Sequence, residues 1–258
     1  MKILVCIKQV PDTTAKLNIA PDGSGISEQG FKWVMNPYDE FAVEEALQLK
    51  KANAGSEINV VTLGPKKRVV DSLRTALALG CDTASLIDAP GNCDSVTTGK
   101  ALAAYAEKEG PFDAIFTGKM AIDDSQSAVT QIIAQSAGIT HANFVSSYEN
   151  KGETIEIERD IEGGSKEVSS LPARSVIGAN KGLNTPKYAS LPGIMKAKKK
   201  PVSEFNLADL GLNEADIKVK FSNYRLPAER PEVKFLSGEG DQQASELVKL
   251  LREEAKVI

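Results

Sequence analysis

Histidine is nearly missing from this chain. His141 is the only one, so neither a histidine-based triad nor a multi-histidine metal site has the material it needs. Cysteine is scarce too. Cys6, Cys81 and Cys93 form an odd set without C-x-x-C spacing, which argues against a disulfide framework or a zinc site and for free thiols in a reducing compartment. No apolar run approaches the roughly 20 residues of a membrane span. The run Ile3–Ile7 is too short for a signal peptide. Charge of one sign is also lacking: a net charge of −4 over 258 residues does not make a nucleic-acid surface. The dinucleotide fingerprint G-x-G-x-x-G is absent. Gly99-Lys100-Ala101 looks like the tail of a P-loop but lacks the Ser or Thr and the correctly spaced earlier Gly.

What is present is an alternation of strands and helices. Lys2–Ile7, Ile58–Thr62, Thr83–Ile87 and Ala114–Phe116 read as buried strands. Met35-Asn36-Pro37 opens a first helix, with Asn36 as cap, Pro37 in the first turn, and Asp39 and Glu40 complementing the dipole. Leu63-Gly64-Pro65 leads into a second helix through Val69, Leu73 and Leu77, and Ser95–Lys108 forms a third. This pattern over the first 138 residues predicts an α/β fold with a doubly wound, mainly parallel sheet. Pro21-Asp22-Gly23-Ser24-Gly25 predicts a small hairpin between Leu17–Ile19 and Ile26.

The stretch from Asp113 to Gln131 organises the chain. It begins as a strand and ends as a helix with Val129, Ile132, Ile133 and Ala137 on its apolar face, and Asp123, Asp124 and Ser125 are candidate caps. A helix N-terminus at the carboxyl end of a parallel strand offers free N–H groups and a positive dipole end, which suits a phosphate. Ser125, Ser127 and Thr130 add hydroxyl groups. An ordinary capped turn accounts for the same pattern, and the residues alone leave both readings open.

Beyond residue 140 the pattern changes. Phe144–Tyr148, Thr154–Arg159, Lys166–Ser169 and Ala173–Ile177 read as strands, with turns at Asn150-Lys151-Gly152 and Glu162-Gly163-Gly164. Thr154–Glu158 alternates apolar with acidic, as a half-buried antiparallel strand does, so these strands are expected to extend the parallel sheet at one edge. Residues 179–201 form a long polar loop, a short helix and the basic run Lys196–Lys200. A long C-terminal arm, 201–258, follows, with one candidate strand at Ile217–Phe221 and a final amphipathic helix over Asp241–Val257. Ordering such an arm alone costs about 1–2 kcal/mol per residue, so it is expected to pack against something else, another polypeptide being the natural candidate.

Five stretches together resemble the β subunit of electron transfer flavoprotein: Lys8–Asp12, Met35–Ala46, Thr75–Gly80, Gly118–Asp124 and Tyr188–Lys200. They occur in the family's order and span nearly the whole chain. The resemblance implies a heterodimer in which the α subunit holds most of a FAD and this chain closes over it and buries an AMP. The pair would carry electrons from acyl-CoA dehydrogenases and related flavoenzymes to a membrane quinone oxidoreductase, without substrate turnover by this chain. It would be cytoplasmic in a bacterium or mitochondrial in a eukaryote, without being membrane-embedded and without binding nucleic acid.

Carried over by position, the AMP pocket falls on Cys6, on Asn36, Pro37, Tyr38 and Asp39, on Leu63, and on Gly118, Lys119, Met120, Ala121, Ile122, Asp123, Asp124, Ser125, Gln126, Ser127, Ala128 and Val129. Gln126–Val129 would turn N–H groups to the phosphate. The partner-recognition loop falls on 179–201, with Leu191 as apolar anchor among Tyr188, Pro192, Ile194, Met195 and Lys196. The α/β domain would then be residues 1–200 and the arm 201–258 would pack on the α subunit. Some members place a tyrosine near the flavin where this chain has Thr13. Electron-bifurcating relatives hold a second FAD in place of AMP. Their Gly-Asp-Thr pattern is not found at Asp124–Thr130, which favours AMP. Two rivals remain in other classes: an ATP-using ligase or pyrophosphatase built on Lys119, Asp123 and Asp124, and a nucleotide-sensing domain without a partner chain.

Overall fold

A computed structural model describes residues 1–258. Its elements, in order, are β1 Lys2–Cys6, β2 Gln9–Pro11, β3 Trp33–Met35, α1 Pro37–Ala52, β4 Glu57–Gly64, α2 Lys66–Leu79, β5 Thr83–Asp88, α3 Ser95–Glu109, β6 Ala114–Gly118, α4 Val129–Ala137, β7 Thr140–Asn150, β8 Thr154–Asp160, β9 Lys166–Pro172, β10 Ser175–Ala179, α5 Leu191–Lys199, β11 Ser203–Asn206 and α6 Gly240–Glu253. Nine strands form one sheet in the order β11-β5-β4-β1-β6-β10-β7-β8-β9. The pairs from β11 to β7 are parallel, and β7-β8-β9 is an antiparallel meander.

Successive side chains of a strand face opposite ways, and β1 shows the consequence. Ile3 and Val5 join a core with α1 and α2 that includes Val43, Ala46, Leu73 and Ala76. Leu4 and Cys6 join a second core with α3 and α4 that includes Leu102, Tyr105 and Ile133. A sheet covered on both faces explains why its central strands read as unbroken apolar runs. The chain winds from β1 through β4 to β5, then crosses to β6 on the other side of β1. The carboxyl ends of β1 and β6 therefore flank a topological switch point, where open α/β sheets bind ligands.

Several expectations are corrected. The last parallel strand does not extend the edge: β10 inserts between β6 and β7 and pairs with both in parallel. Gly178 permits this insertion, because a Cβ there would run into the Asn143 side chain. The sheet also continues past residue 200. Edge strand β11 pairs with β5, and Phe205 stacks edge-on against buried Tyr105 at 5.2 Å. Ile217–Phe221 is not a strand; the N–H groups of Lys218 and Val219 donate to Asp94 Oδ2 at 2.8 and 3.1 Å. The hairpin signal at 21–25 yields only an isolated Ile19–Ile26 bridge, whereas the real ribbon pairs β2 with β3. Gly99, the apparent P-loop tail, is a packing residue. A Cβ there would lie 2.5 Å from Ile132 Cγ2, so glycine lets α3 and α4 approach.

Candidate functional site

A cleft of about 970 Å³, counting its open mouth, lies at the carboxyl ends of β1, β4, β5 and β6. Of the residues carried over by position, Cys6, Asn36, Asp39, Leu63, Gly118, Lys119, Met120, Ala121, Asp124, Gln126, Ser127, Ala128 and Val129 line it. Pro37, Tyr38, Ile122, Asp123 and Ser125 do not. They sit behind the wall or at its rim: Ile122 N–H donates to Asn36 Oδ1 at 3.1 Å, and the Tyr38 ring lies 4.6 Å from Lys119 Nζ.

Buried Asp39 ties three chain segments together. Its carboxylate accepts hydrogen bonds from Lys8 N at 2.6 Å, Gly118 N at 3.1 Å and Asn36 Nδ2 at 2.8 Å. Burial raises its pKa to about 7, with the three donors acting in the opposite direction. Gly118 has to be glycine for this contact, since a Cβ would sit 2.9 Å from Asp39 N and overlap the Asp39 carboxylate. Cys6 is buried beside it and its thiol pKa is pushed up, by burial first and Asp39 second. It is an inert wall, not a nucleophile.

The expected helix caps belong to other partners. Asn36 makes no backbone capping bond on α1; its amide donates to the Asp39 carboxylate in the first turn of that helix and, across the site, to Met120 O at 2.9 Å. Asp123 and Asp124 do not cap α4, which starts at Val129 behind Ala128 with no side-chain cap. They receive Lys8 Nζ at 2.8 and 2.9 Å. Burial works to lower the Lys8 pKa, and the two carboxylates outweigh it, so the net shift is upward. Gln126 N–H is taken by Asp124 Oδ1 at 3.1 Å. The N–H groups of Ser127, Ala128, Val129 and Thr130 donate to no acceptor within the chain. Four free donors at an uncapped helix start are what an anion requires.

The loop before α4 is held in an unusual backbone. Ser125 and Ser127 have φ of 53° and 52°, a region costing about 1–3 kcal/mol for a non-glycine residue. Ser127 Oγ donates to Lys119 O at 2.8 Å and accepts from Asn143 Nδ2 at 3.1 Å, so its hydroxyl is already engaged. Thr130 pairs with Thr117 at 2.7 Å, while Ser125 is exposed.

Sequence reasoning missed much of the opposite wall. Lys8, Gly64, Arg68, Pro90, Gly91, Cys93 and Ser95 line the cleft as well. Pro90-Gly91 follows the carboxyl end of β5, so the strand-end rule applied to β4 and β6 reaches it too. Lys8 and Arg68 carried no comparable local signal.

The second group of carried-over residues lies elsewhere, on and before α5. Ser190 caps this helix by accepting from Gly193 N at 3.1 Å. Tyr188 is fully exposed, Leu191 is 78 % exposed and Met195 70 %, and Pro192, Ile194 and Lys196 are exposed with them. Lys196, Lys198 and Lys199 occupy the last turn, where they complement the helix dipole. The preceding loop is pinned to α1 by Asn184 Nδ2, which donates to Phe41 O and Glu45 Oε2, and by the Lys187–Glu44 pair at 2.7 Å. No helix is long and apolar enough to cross a membrane.

A family model described as "Electron transfer flavoprotein domain" matches residues 24–210. The chain is similar over its full length to three proteins named electron transfer flavoprotein subunit beta, each likewise covered in full. That of Bacillus subtilis is 41 % identical, that of Bradyrhizobium diazoefficiens 38 %, and the mitochondrial one of Arabidopsis thaliana 37 %.

Proposed function

The chain belongs to the electron transfer flavoprotein family as a beta subunit, and on that premise we propose that it is one half of a heterodimeric electron carrier with AMP in the cleft. The nucleotide assignment is carried by one observation: the four undonated N–H groups of Ser127–Thr130 beside Gly118. Cys6 and Leu63 offer apolar surface for an adenine, and the free amides offer donors for one phosphate. The cleft walls hold a nucleotide and do not transform it. Lys119 Nζ is engaged with the Tyr38 and Phe144 rings, and Asp123 and Asp124 are engaged by Lys8, so the candidates for a ligase or pyrophosphatase are committed elsewhere.

FAD, held mainly by the α subunit, supplies the electron chemistry of such a pair. This chain contributes position. Its tail reaches the α subunit, and α5 presents Leu191 to an acyl-CoA dehydrogenase before the electrons pass to a membrane quinone oxidoreductase. Denaturing the purified heterodimer and weighing the released ligands tests the reading. One AMP and one FAD per heterodimer are expected. Two FAD and no AMP would assign the cleft to a bifurcating carrier, and a turned-over ATP would assign it to the ligase class. If AMP is structural, stripping it lowers stability, by about 2.7 kcal/mol relative to a hundredfold excess over its dissociation constant. The flavin's redox steps stay unchanged.

A further inference from the structure

Helix α5 rests on α2 along a single line. Gly193, Ala197 and Lys200 follow one another at helical spacing on the inner side, and Leu191, Met195 and Lys198 do so on the outer side. At the near end, a Cβ on Gly193 would lie 2.5 Å from Ala78 O, so the two helices touch backbone to backbone. In the middle, Ala197 is 2 % exposed. At the far end the contact is polar. Arg74 Nη1, from α2, donates to Ala197 O at 2.7 Å and to Lys200 O at 2.5 Å, and Lys200 Nζ donates to Cys81 O at 2.6 Å. The last carbonyls of a helix lack the full set of backbone donors. Ala197 O accepts from Lys200 N at 3.2 Å. Arg74 adds a second donor to it and serves Lys200 O just past the helix end, and its permanent charge faces the negative end of the dipole.

We propose that Arg74 is a positioning residue for partner docking: it anchors the carboxyl end of α5 and thereby sets the angle at which Leu191 and Met195 are presented. The inference rests on the docking function proposed for α5. The surface so presented is a small apolar knob, Tyr188, Leu191 and Met195, behind which stand Lys196, Lys198 and Lys199. It fits a partner with an apolar pocket bordered by carboxylates. Arg74 itself is half-buried, on the side of α5 that faces α2 and away from Leu191 and Met195. Its effect therefore passes entirely through α5.

The test is a double-mutant cycle on the flavin-loaded heterodimer, reading electron uptake from an acyl-CoA dehydrogenase at varied carrier concentration. Arg74→Ala raises the KM for the carrier about tenfold with kcat unchanged, and Arg74→Lys, which keeps a donor and the charge, restores part of it. Flavin absorbance and ligand content stay constant. In the Leu191→Ala background Arg74→Ala adds less than in the wild type, because the larger part of what it orients is gone and only Met195 remains. Full additivity, or an unchanged KM for Arg74→Ala where Leu191→Ala raises it, overturns the inference while leaving the docking reading intact. An unchanged KM for Leu191→Ala overturns both. If Arg74→Ala does not assemble, Arg74→Lys and Lys200→Met carry the same cycle with smaller shifts of the same sign.

Discussion

Two helices of this molecule, α5 and α6, expose apolar side chains, and only one of them has a floor. Helix α5 is short, yet a close glycine contact, a buried alanine and an arginine bolt it to α2. Helix α6 is longer, with Leu247 and Val248 exposed and Leu250 and Leu251 half-buried, and none of its residues is buried. Its own capping box, between Glu239 and Gln242, shapes its start. The backbone of residues 220–235, which leads to it, makes no hydrogen bond within the chain. A fixed helix offers a partner a preset geometry at little entropic cost. A tethered helix has to be ordered by whatever it binds, at about 1–2 kcal/mol per residue, and so suits a permanent partner with a large surface.

The largest effect separating the two is expected from the tethered helix. Removing residues 240–258 deletes Leu247, Leu250 and Leu251, each worth about 1.5–3 kcal/mol if fully buried on the α subunit. Heterodimer affinity should fall at least about hundredfold by analytical ultracentrifugation, while the α/β domain keeps its melting temperature. Wild-type assembly of the shortened chain would show that α6 has another purpose.

Next comes the anchored helix. Leu191→Ala should leave assembly, nucleotide and flavin untouched and weaken docking to an acyl-CoA dehydrogenase by roughly ten- to a hundredfold, from the same burial value. Steady-state transfer at varied carrier concentration reads this directly. Loss of flavin or of folded protein would instead make Leu191 a stability residue and erase the contrast.

The smallest effect concerns the root of the tail. Burial works to raise the Asp94 pKa, but N–H donation from Thr97, Lys218 and Val219 prevails and brings it down to about 2. A carboxylate depressed in the fold contributes stability that is complete above the ordinary carboxylate range of about 4 and is lost as pH falls towards its folded value. Exchange protection of the Lys218 and Val219 amides should therefore hold at pH 5 and fade between about pH 4 and 2, with α5 unaffected over the same window. Asp94→Ala should remove that protection at neutral pH. Persistent protection in that variant would mean that Asp94 is not what holds the tail root.

The α/β architecture was legible because its causes are local. The central strands are buried on both faces and read as apolar runs, and α2 and α3 lie between clear turn signals. Edge strand β11, Ser-Glu-Phe-Asn, was not legible: only Phe205 finds a buried partner, and that partner, Tyr105, is a hundred residues away in the sequence. Ile217–Phe221 misled in the opposite direction. Its alternation is that of a strand, yet a strand needs a neighbour, and the Asp94 carboxylate reached its N–H groups instead.

The candidate site divides in the same way. Sequence alone determined that a helix start follows the end of β6, that glycine stands at position 118, and that a short helix with a basic run lies within 179–201, because each depends on residues adjacent in the chain. Only the tertiary structure decided which groups those segments face. Asn36, Asp123 and Asp124 are good caps by residue type, and each was drawn to a partner distant in the chain: Asn36 to Met120, besides Asp39 in the first turn of its own helix, and the two aspartates to Lys8. A polar side chain binds whichever donor or acceptor the fold brings nearest. That choice is made by strands crossing at the switch point, and no local pattern records it.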